Sequence, residues 1–410
     1  MPSVLPTRVP ERRRALLAGR AVGQAAALLD VLGAVPDRRR ARGRRYGLAS
    51  VLALWFAGVL AGQQTFTAVW EWAVDLPAEL LAGFGLTRGV PSERTIRRLV
   101  AGCDPAGLDE ALSGWITRAG AGEGPPPGPR GLAFDGKTLK GARSFTETGV
   151  MSQEAVVEAV WHGTGIAAGH QRVVGGDEIA AVEALAGRLD LTDVLVTTDS
   201  LHSHERLARK IRARGGHWLL VIKLNQPTIH ANLTRLPWER SPDLVTTAEK
   251  GHGRVEVRSL KALTVTTPKL VGFWGTKQVV ELRRRIRRKK TVTAAPAWSE
   301  EVFYLVTSLP AEQAHPRDLA ARARGHWTVE AVHHVRDRTL DEDRHTVRTG
   351  NAALAWAIAR DTAISALRLT GHRNIAKAMR STTRNPERVL QIIALAGSRG
   401  DQGRDWAVPA

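Results

Sequence analysis

Three carboxylates in this sequence stand where folded sheets and helices present reactive groups. Asp135 follows the short apolar run Leu132–Phe134, and Asp199 follows the apolar stretch TDVLVTT. Both stretches are predicted strands, and the carboxyl ends of strands in an open α/β sheet are where functional groups gather. Glu330 lies on a predicted helix. Four further polar residues share its face, at offsets of −4, +3, +4 and +7: His326, His333, His334 and Asp337.

A divalent metal gives a physical reason to bring these acids together. Three neighbouring carboxylates cannot all stay ionised without a compensating cation. Mg²⁺ and Mn²⁺ prefer oxygen ligands and keep waters and substrate phosphates in their coordination shell. Two such ions, roughly 3.5–4 Å apart, would clamp the attacking and leaving oxygens of an in-line phosphoryl transfer. The alternative is that Asp135 and Asp199 are turn residues and Glu330 is a surface acid.

The stretch GLAFDGKT (131–138) also matches the phosphate-binding loop pattern G-x-x-x-x-G-K-[ST]. That loop requires a preceding buried strand and a following helix. Here prolines precede the match, its apolar residues lie inside it, and LKGARSFTETG after it has no helical period. We therefore interpret the stretch as a strand that ends at Asp135 and is followed by a turn.

Other catalytic motifs are missing from the sequence. The histidines near Glu330 raise the alternative of a zinc protease, but the chain contains no H-E-x-x-H. It also contains no G-x-S-x-G and no G-x-G-x-x-G after a strand.

Composition favours a polyanionic partner. The 410 residues include 59 Lys and Arg against 40 Asp and Glu, a formal net charge of +19. A basic solvated surface is the alternative explanation. Cys103 is the only cysteine, which excludes a disulfide or a Cys-based zinc site within one chain and fits a cytoplasmic location. We expect no signal peptide, and we expect the apolar stretch 46–62 to be a buried helix rather than a membrane span.

Changes in composition predict the organisation of the chain. Length predicts two or three domains. The predicted regions are a basic N-terminal tail (1–24), a helical region (25–119), a Pro/Gly linker (120–130), an alternating strand and helix region (131–227), a strand-rich region (228–300), a second mixed region (301–385) and a C-terminal tail (386–410). Within the helical region, Ser92 is a predicted N-cap. The exposed arginines of that helix, Arg94, Arg97 and Arg98, either contact DNA or form a solvated face.

A series of motifs resembles one family: AFDGKTLKGAR, GDEIAAVEAL, TTDSLHSHE, GGHWLLVIKLNQPT, EKGHGRVEVR and GHWTVEAVHHVRDRTLDED. In this order, over about residues 25–385, they resemble the DDE transposases of bacterial insertion sequences, H-repeat-associated (ISAs-type) subgroup. The resemblance implies an α/β fold with an RNase H-like core, a β-rich insertion at 228–300 and an all-helical N-terminal domain. It also implies that Asp135, Asp199 and Glu330 form a metal-bound catalytic triad.

The sequence departs from the family pattern around the last acid. Ala331 and His334 stand where the subgroup usually has Asn and Trp. His326 and Asp337 stand at the Arg and Lys positions of the related Tyr-Arg-Glu-Lys signature. These departures put the supporting residues in doubt more than the triad.

Contacts to DNA are expected from residues near the site and from one basic run. The residues near the site are Lys137, Lys223, Asn225, Gln226, Arg254 and Trp274; the run contains Arg283, Arg284, Arg285, Arg287 and Arg288. Polar residues directly after a buried strand, such as Lys223, lie at the catalytic edge of such a sheet. Lys137 could instead be a solvated turn residue, and Trp274 could be a packing residue.

The expected activity is that of an insertion-sequence transposase. Such an enzyme binds terminal inverted repeats, hydrolyses the phosphodiester at the element ends and joins the 3′-OH ends to target DNA. The expected cofactor is two Mg²⁺ ions, for which Mn²⁺ can substitute. The expected partner is double-stranded DNA, bound by a dimer or a larger assembly. The alternative is a catalytically inactive or repurposed DNA-binding protein derived from such a transposase.

Overall fold

The computed structural model describes residues 23–120, 128–145, 149, 151–251, 253–288 and 297–398. Between residues 23 and 120, every regular element is helical. These elements are α1 (23–33), α2 (Leu48–Leu60), α3 (Phe66–Val74), α4 (Ala78–Gly83), α5 (Glu93–Gly102), α6 (Pro105–Gly120) and a 3₁₀ turn at Ala41–Gly43. The predicted basic tail lies outside the described residues except for its last two, and the linker lies outside them at 121–127.

Two helices in this region follow directly from local sequence. Helix α5 begins after Ser92, whose hydroxyl accepts a hydrogen bond from the backbone N–H of Thr95 at 3.3 Å. This confirms the predicted N-cap. Helix α2 is buried on every side, as the apolar stretch predicts. Over the described ranges, the structure contains no helix with the length and apolar character needed to cross a membrane.

The strands among the described residues from 128 onward form one nine-stranded sheet. Its strands are β1 (Arg130–Phe145), β2 (Met151–Trp161), β3 (Ala167–Arg172), β4 (Val194–Thr198), β5 (His217–Ile222), β6 (Val245–Gly251), β7 (Arg254–Thr264), β8 (Gln278–Arg288) and β9 (Ala297–Thr307). Their order is β3-β2-β1-β4-β5-β9-β8-β7-β6. Strands β1, β4 and β5 are mutually parallel, and all other neighbours are antiparallel. The predicted strand-rich region therefore extends the central sheet instead of forming a separate one.

The predicted end of β1 is wrong. The strand does not stop at Asp135 but continues to Phe145, because the segment after Asp135 pairs antiparallel with β2. The polar and glycine-rich residues that suggested a turn are tolerated because a long neighbouring strand supplies their hydrogen-bond partners. Asp199, in contrast, follows directly after β4 as predicted.

Helices cover both faces of the sheet. One face carries α7 (Glu178–Arg188), α8 (Glu205–Ala213), α9 (Pro227–Thr234) and α10 (Pro268–Val271). The other carries α11 (Pro316–Gly325), α12 (Trp327–Arg338) and α13 (Ala352–Leu369). Helices α14 (Ile375–Arg384) and α15 (Glu387–Ser398) follow, so the predicted C-terminal tail contains a helix.

Helix α13 joins the helical region to the sheet. It is buried along nearly its whole length and contacts α2, α5, α6 and β3. One apolar core therefore contains residues from α2, α6, α13 and the β2 side of the sheet. Trp356 of α13 lies at its centre, with its ring 5.4 Å from the rings of both Trp55 and Phe66.

A network of charged side chains is buried where α12 and α13 meet the sheet. It consists of Asp109, Glu158, His170, Arg336, Glu342, Arg360 and Asp361. The guanidinium of Arg336 donates to Asp361 at 2.8 Å and to Glu342 at 2.7 Å, and it also contacts Glu158. Since Arg336 lies on α12, these contacts attach the helix that carries Glu330 to β2 and α13.

The network continues through His170 into the helical region. Its imidazole lies 2.7 Å from Asp109 on α6 and 2.9 Å from Asp361 on α13. Burial opposes the charged imidazolium, but the two carboxylates outweigh it and raise the pKa of His170 to about 10. Protonated His170 therefore bridges two helices across the end of β3.

Replacement of Trp356 tests the shared core. Trp356→Ala should lower the free energy of unfolding by about 3–5 kcal/mol, because the cavity would lie between three helices. Trp356→Phe keeps an aromatic ring and should cost less. Urea denaturation followed by circular dichroism measures both. A Trp356→Ala protein as stable as wild type would contradict the shared core.

Replacement of Arg336 tests the charged network. Arg336→Met leaves Glu158, Glu342 and Asp361 buried without their common partner, which should cost about 3–5 kcal/mol in unfolding free energy. Arg338→Met, on the exposed side of the same helix, is the matched control and should stay within about 0.5 kcal/mol of wild type. Equal urea midpoints for the two variants would show that Arg336 is not a structural charge.

The pH dependence of stability tests His170. An unfolded histidine titrates near pH 6.5, and the folded pKa lies higher. The contribution of protonated His170 to the free energy of unfolding is therefore complete below about pH 6.5. It is lost as the pH rises through about 10. Urea denaturation from pH 7 to pH 10 should show a fall in stability that His170→Gln lacks. Parallel curves for the two proteins would contradict a charged His170.

Candidate active site

Asp135 and Asp199 converge at one point of the sheet. In the parallel register, Phe134 pairs with Thr198, which places Asp135 on β1 beside Asp199 just after β4. Ligand atoms of Asp135, Asp199 and His202 all lie within 4.8 Å of one another. The two aspartates are half-buried and His202 is buried. The structure thus brings together the two aspartates predicted from the sequence and a histidine, His202, that the sequence analysis did not predict.

His202 holds the carboxylate of Asp199. Its Nδ1 lies 2.7 Å from Asp199 Oδ1, and its backbone N–H donates to the same oxygen at 3.2 Å. Burial alone would raise the pKa of Asp199, but the hydrogen bonds and positive charge of His202 hold it below its usual range. The signal in the sequence was a histidine three residues after Asp199, in TTDSLHSHE. The spacing alone did not show that its side chain contacts Asp199.

A third acid reaches the same place from α7. Glu178 Oε2 lies 3.4 Å from Nε2 of His202. A Cβ at Gly136 would meet this carboxylate oxygen at 2.6 Å, so the glycine after Asp135 leaves the room that Glu178 occupies. His202 is therefore placed between two carboxylates.

Two predicted DNA contacts support the loop after Asp199. The side-chain amide of Asn225 donates to the backbone oxygen of Ser200 at 2.7 Å, and that of Gln226 donates to Ser203. These bonds tie the end of β5 to the loop that carries Asp199 and His202. In this structure both amides therefore position the site.

Asp135 is supported from α12 and β2. Nδ1 of His333 lies 3.7 Å from Asp135, and its Nε2 lies 3.1 Å from Glu158. Glu158 is the residue opposite Asp135 in the β1–β2 register. Burial, with repulsion from Asp199, raises the pKa of Asp135, and burial lowers that of His333. Glu158 was missed in the sequence, where the only signal was an acid inside the apolar strand AVVEAV.

Glu330 lies on the wall of the cleft that Asp199 borders. The cleft has a volume of about 760 Å³ and runs between α11, α12 and strands β4 to β9. Glu330 is exposed, and it is not among the ligand atoms that cluster around Asp135 and Asp199 in the described residues. The structure therefore brings the two aspartates together and places the third acid on the same cleft.

The polar residues around Glu330 have different partners. His326 precedes α12 and lies 3.1 Å from the hydroxyl of Thr197, and burial lowers its pKa to about 4. Asp337 accepts a hydrogen bond from Lys137 at 2.7 Å. His333 contacts Asp135 and Glu158 as above, and His334 is exposed.

Lys137 joins β1 to α12. Only 8% of its side chain is exposed, and its amine lies 4.0 Å from Glu342 as well as contacting Asp337. The positively charged side chain of Lys137, two residues after Asp135, thus fills the space between β1 and α12. Lys223, in contrast, lines the cleft.

Other predicted DNA contacts lie further out. Arg254 pairs with Glu256 at 3.3 Å. Trp274 is 37% exposed, and the guanidinium of Arg209 lies 4.4 Å from its ring centre. Its backbone N–H donates to Glu205 at the start of α8.

The basic run lies on β8, where side chains alternate between the two faces of the sheet. Arg284 borders the cleft with Arg258, and both guanidiniums lie over the ring of Trp327, at 4.7 and 5.2 Å. Arg283, Arg285 and Arg287 face the other way. The side chain of Arg288 lies outside the described part of the chain.

The donor set suits a hard divalent cation. Two carboxylates and an imidazole meet within 4.8 Å, and repulsion between the carboxylates contributes to the raised pKa of Asp135. A cation placed between them would relieve that repulsion. The site residues therefore fit a metal such as Mg²⁺ or Mn²⁺.

Comparison with known proteins identifies the family. The Transposase DDE domain family matches residues 126–367, and the DDE_Tnp_1-associated family matches residues 29–116. A protein of Escherichia coli O157:H7 named "Putative transposase YncI" is 27% identical over 80% of this chain and 83% of its own length. "H repeat-associated putative transposase YhhI" of Escherichia coli K12 is 26% identical over 83% of this chain and 90% of its own length.

Among solved structures, a piggyBac transposase synaptic complex with hairpin DNA covers 92% of this chain and 81% of its own, with a TM-score of 0.40 and 11% identity. The resemblance found in the motifs is confirmed by the two family matches, which together extend over most of the sequence. The chain belongs to the DDE transposase family, of the H repeat-associated type.

Proposed function

We propose that this chain cuts and joins DNA as the transposase of an insertion sequence. In this proposal it binds the terminal inverted repeats of its element, hydrolyses the phosphodiester at each end and transfers the 3′-OH ends into target DNA. The observation that carries the proposal is the convergence of Asp135 and Asp199 beside a cleft whose wall holds Glu330.

Asp135, Asp199 and Glu330 would hold two Mg²⁺ ions, with Mn²⁺ able to replace them. Such ions activate water or a 3′-OH as the nucleophile and stabilise the leaving oxygen. The chain's own residues prepare the site. His202 fixes the direction of Asp199, and His333 and Glu158 do the same for Asp135. Preorganised charge of this kind needs no rearrangement during the reaction.

The cleft offers positive charge to a DNA backbone. Lys223, Arg258 and Arg284 line it. Guanidinium groups bind phosphate oxygens in a forked geometry, and they would position a strand without reading its sequence. Arg254 and Trp274 remain proposed DNA contacts outside the cleft lining.

The fold also supports an assignment of the chain to three parts: an RNase H-like core, a β-rich insertion and an all-helical N-terminal domain. Three antiparallel strands followed by two parallel ones, in the order β3-β2-β1-β4-β5, fit an RNase H-like core at 131–227 and 301–385. Strands β6 to β8 fit the β-rich insertion at 228–300, and the helices at 25–119 fit the all-helical N-terminal domain. We further propose a cytoplasmic protein that acts on two DNA ends as a dimer or larger assembly.

The second candidate function is DNA binding without cleavage, in an inactive or repurposed copy. Two observations favour it: Glu330 lies outside the cluster around Asp135 and Asp199, and Ala331 and His334 stand where the subgroup usually has Asn and Trp. Metal-dependent cleavage separates the two functions.

Cleavage of a labelled duplex that carries the element's own end is the test. With Mg²⁺ the wild-type protein should cut at the end, and EDTA should abolish the cut. Asp199→Asn and Glu330→Gln should each lower the rate by about a thousandfold, because each loses several kcal/mol of metal-dependent stabilisation. Both should still bind the duplex in a gel-shift assay.

The matched control is Asp243→Asn, an exposed acid on the loop before β6, which should cleave at the wild-type rate. Cleavage that survives Asp199→Asn would overturn the catalytic assignment. Tight binding with no cut by any protein would favour the second candidate function.

A further inference from the structure

The basic run on β8 is divided between two faces of the sheet. Arg284 and its neighbour across the strand pair, Arg258, border the cleft. Arg283, Arg285 and Arg287 alternate with Arg284 and therefore project from the opposite side. A run that reads as one block in the sequence is two separate groups of cations in the fold.

The opposite group forms a patch with an exposed tryptophan. We call it the reverse-face patch, and its members are Lys250, Arg283, Arg285, Arg287, Trp298 and Glu300. The register places them together: Lys250 pairs with Val255, Val255 with Arg287, and Arg287 with Trp298. Arg285 pairs with Glu300 on the same side.

Contacts within the patch leave an excess of positive charge. The guanidiniums of Arg285 and Arg287 lie 5.1 and 5.2 Å from the ring centre of Trp298. Glu300 is the exposed carboxylate of the patch, at 2.9 Å from Arg283 and 3.5 Å from Arg285. Arg283 also contacts Glu281, which is buried. Within the patch four cations share one exposed acid, and Asp243 is a second exposed acid near Arg283.

The patch remains open to solvent. The side chains of Arg283 and Arg285 are 42% and 51% exposed, and Trp298 is 41% exposed. An exposed tryptophan beside two guanidiniums is a flat aromatic surface inside a positive field. This chemistry suits a polyanion that also has flat aromatic groups, which is nucleic acid.

One DNA duplex in the cleft cannot reach this patch, because the sheet lies between them. We propose that the reverse-face patch binds a second duplex, different from the one whose strand enters the cleft. Contacts from its cations to backbone phosphates carry no sequence information, so the patch does not need an element end. Its occupant is therefore DNA without an element end. This inference rests on the proposed function.

A second copy of the chain is disfavoured as the occupant. Two such patches brought face to face would place like charges opposite each other, and that repulsion disfavours the contact. DNA instead places negative phosphates beside these cations, and its binding releases the counterions of those phosphates.

Site-specific photo-crosslinking tests the proposal in the full chain. Benzoylphenylalanine is introduced in place of Trp298, or in place of Phe303 on the cleft wall. Each protein is mixed with an end duplex and a plain duplex that carry different fluorophores. The photoreactive group at 298 should capture the plain duplex, and that at 303 should capture the end duplex.

The salt dependence of plain-duplex binding gives a second measurement. Replacing Arg283, Arg285 and Arg287 with serine should flatten the slope of log K against log salt by about 3. The charge-matched control replaces three exposed arginines near and on α14, Arg373, Arg380 and Arg384, and should leave the slope unchanged.

Three outcomes would overturn the inference. Capture of only the end duplex at 298 would mean that one DNA contacts both faces, and no capture at 298 would mean that the patch does not bind DNA. A change in sedimentation of the DNA-free protein on removal of the three arginines would instead identify a contact between copies. Cleavage of the end duplex by the unmodified protein is measured separately, so failure of the proposed function is distinguishable.

Discussion

The architecture depends on one buried positive charge. Arg336 is fully buried among Glu158, Glu342 and Asp361, which come from β2, a short turn after α12, and α13. A charge in such a place is tolerated only when its partners satisfy it completely. The requirement couples elements that are far apart in the chain. It holds the helix of Glu330 against the sheet, and through Asp361 and His170 it reaches α6 in the helical region.

At the active site the charges brought together are negative instead of positive. Asp135 and Asp199 are held side by side by a parallel register, although their charges repel. His202 contacts Asp199 and lies within 4.8 Å of Asp135, and His333 contacts Asp135. The repulsion between these two acids destabilises the fold, and a divalent cation can relieve it. Local destabilisation of this kind is typical of functional sites.

The continuous sheet determines what surrounds this pair. Because β9 pairs with both β5 and β8, the strands of the insertion extend the core sheet, and α11 and α12 close a cleft above them. The alternation of side chains then assigns neighbouring residues of β8 to different environments. Arg284 meets the cleft, and Arg285 meets solvent on the far side.

The sequence by itself determined the features that depend on local patterns and on the family motifs. These include the N-cap of α5 at Ser92, the buried helix α2, the position of Asp199 after its strand, and the family. The tertiary structure alone decided the continuation of β1 beyond Asp135, the roles of Glu158 and His202, and the division of the basic run. Those features depend on which strand lies beside which and in what register. Register is set by packing between residues distant in the chain, and a local pattern carries no record of it.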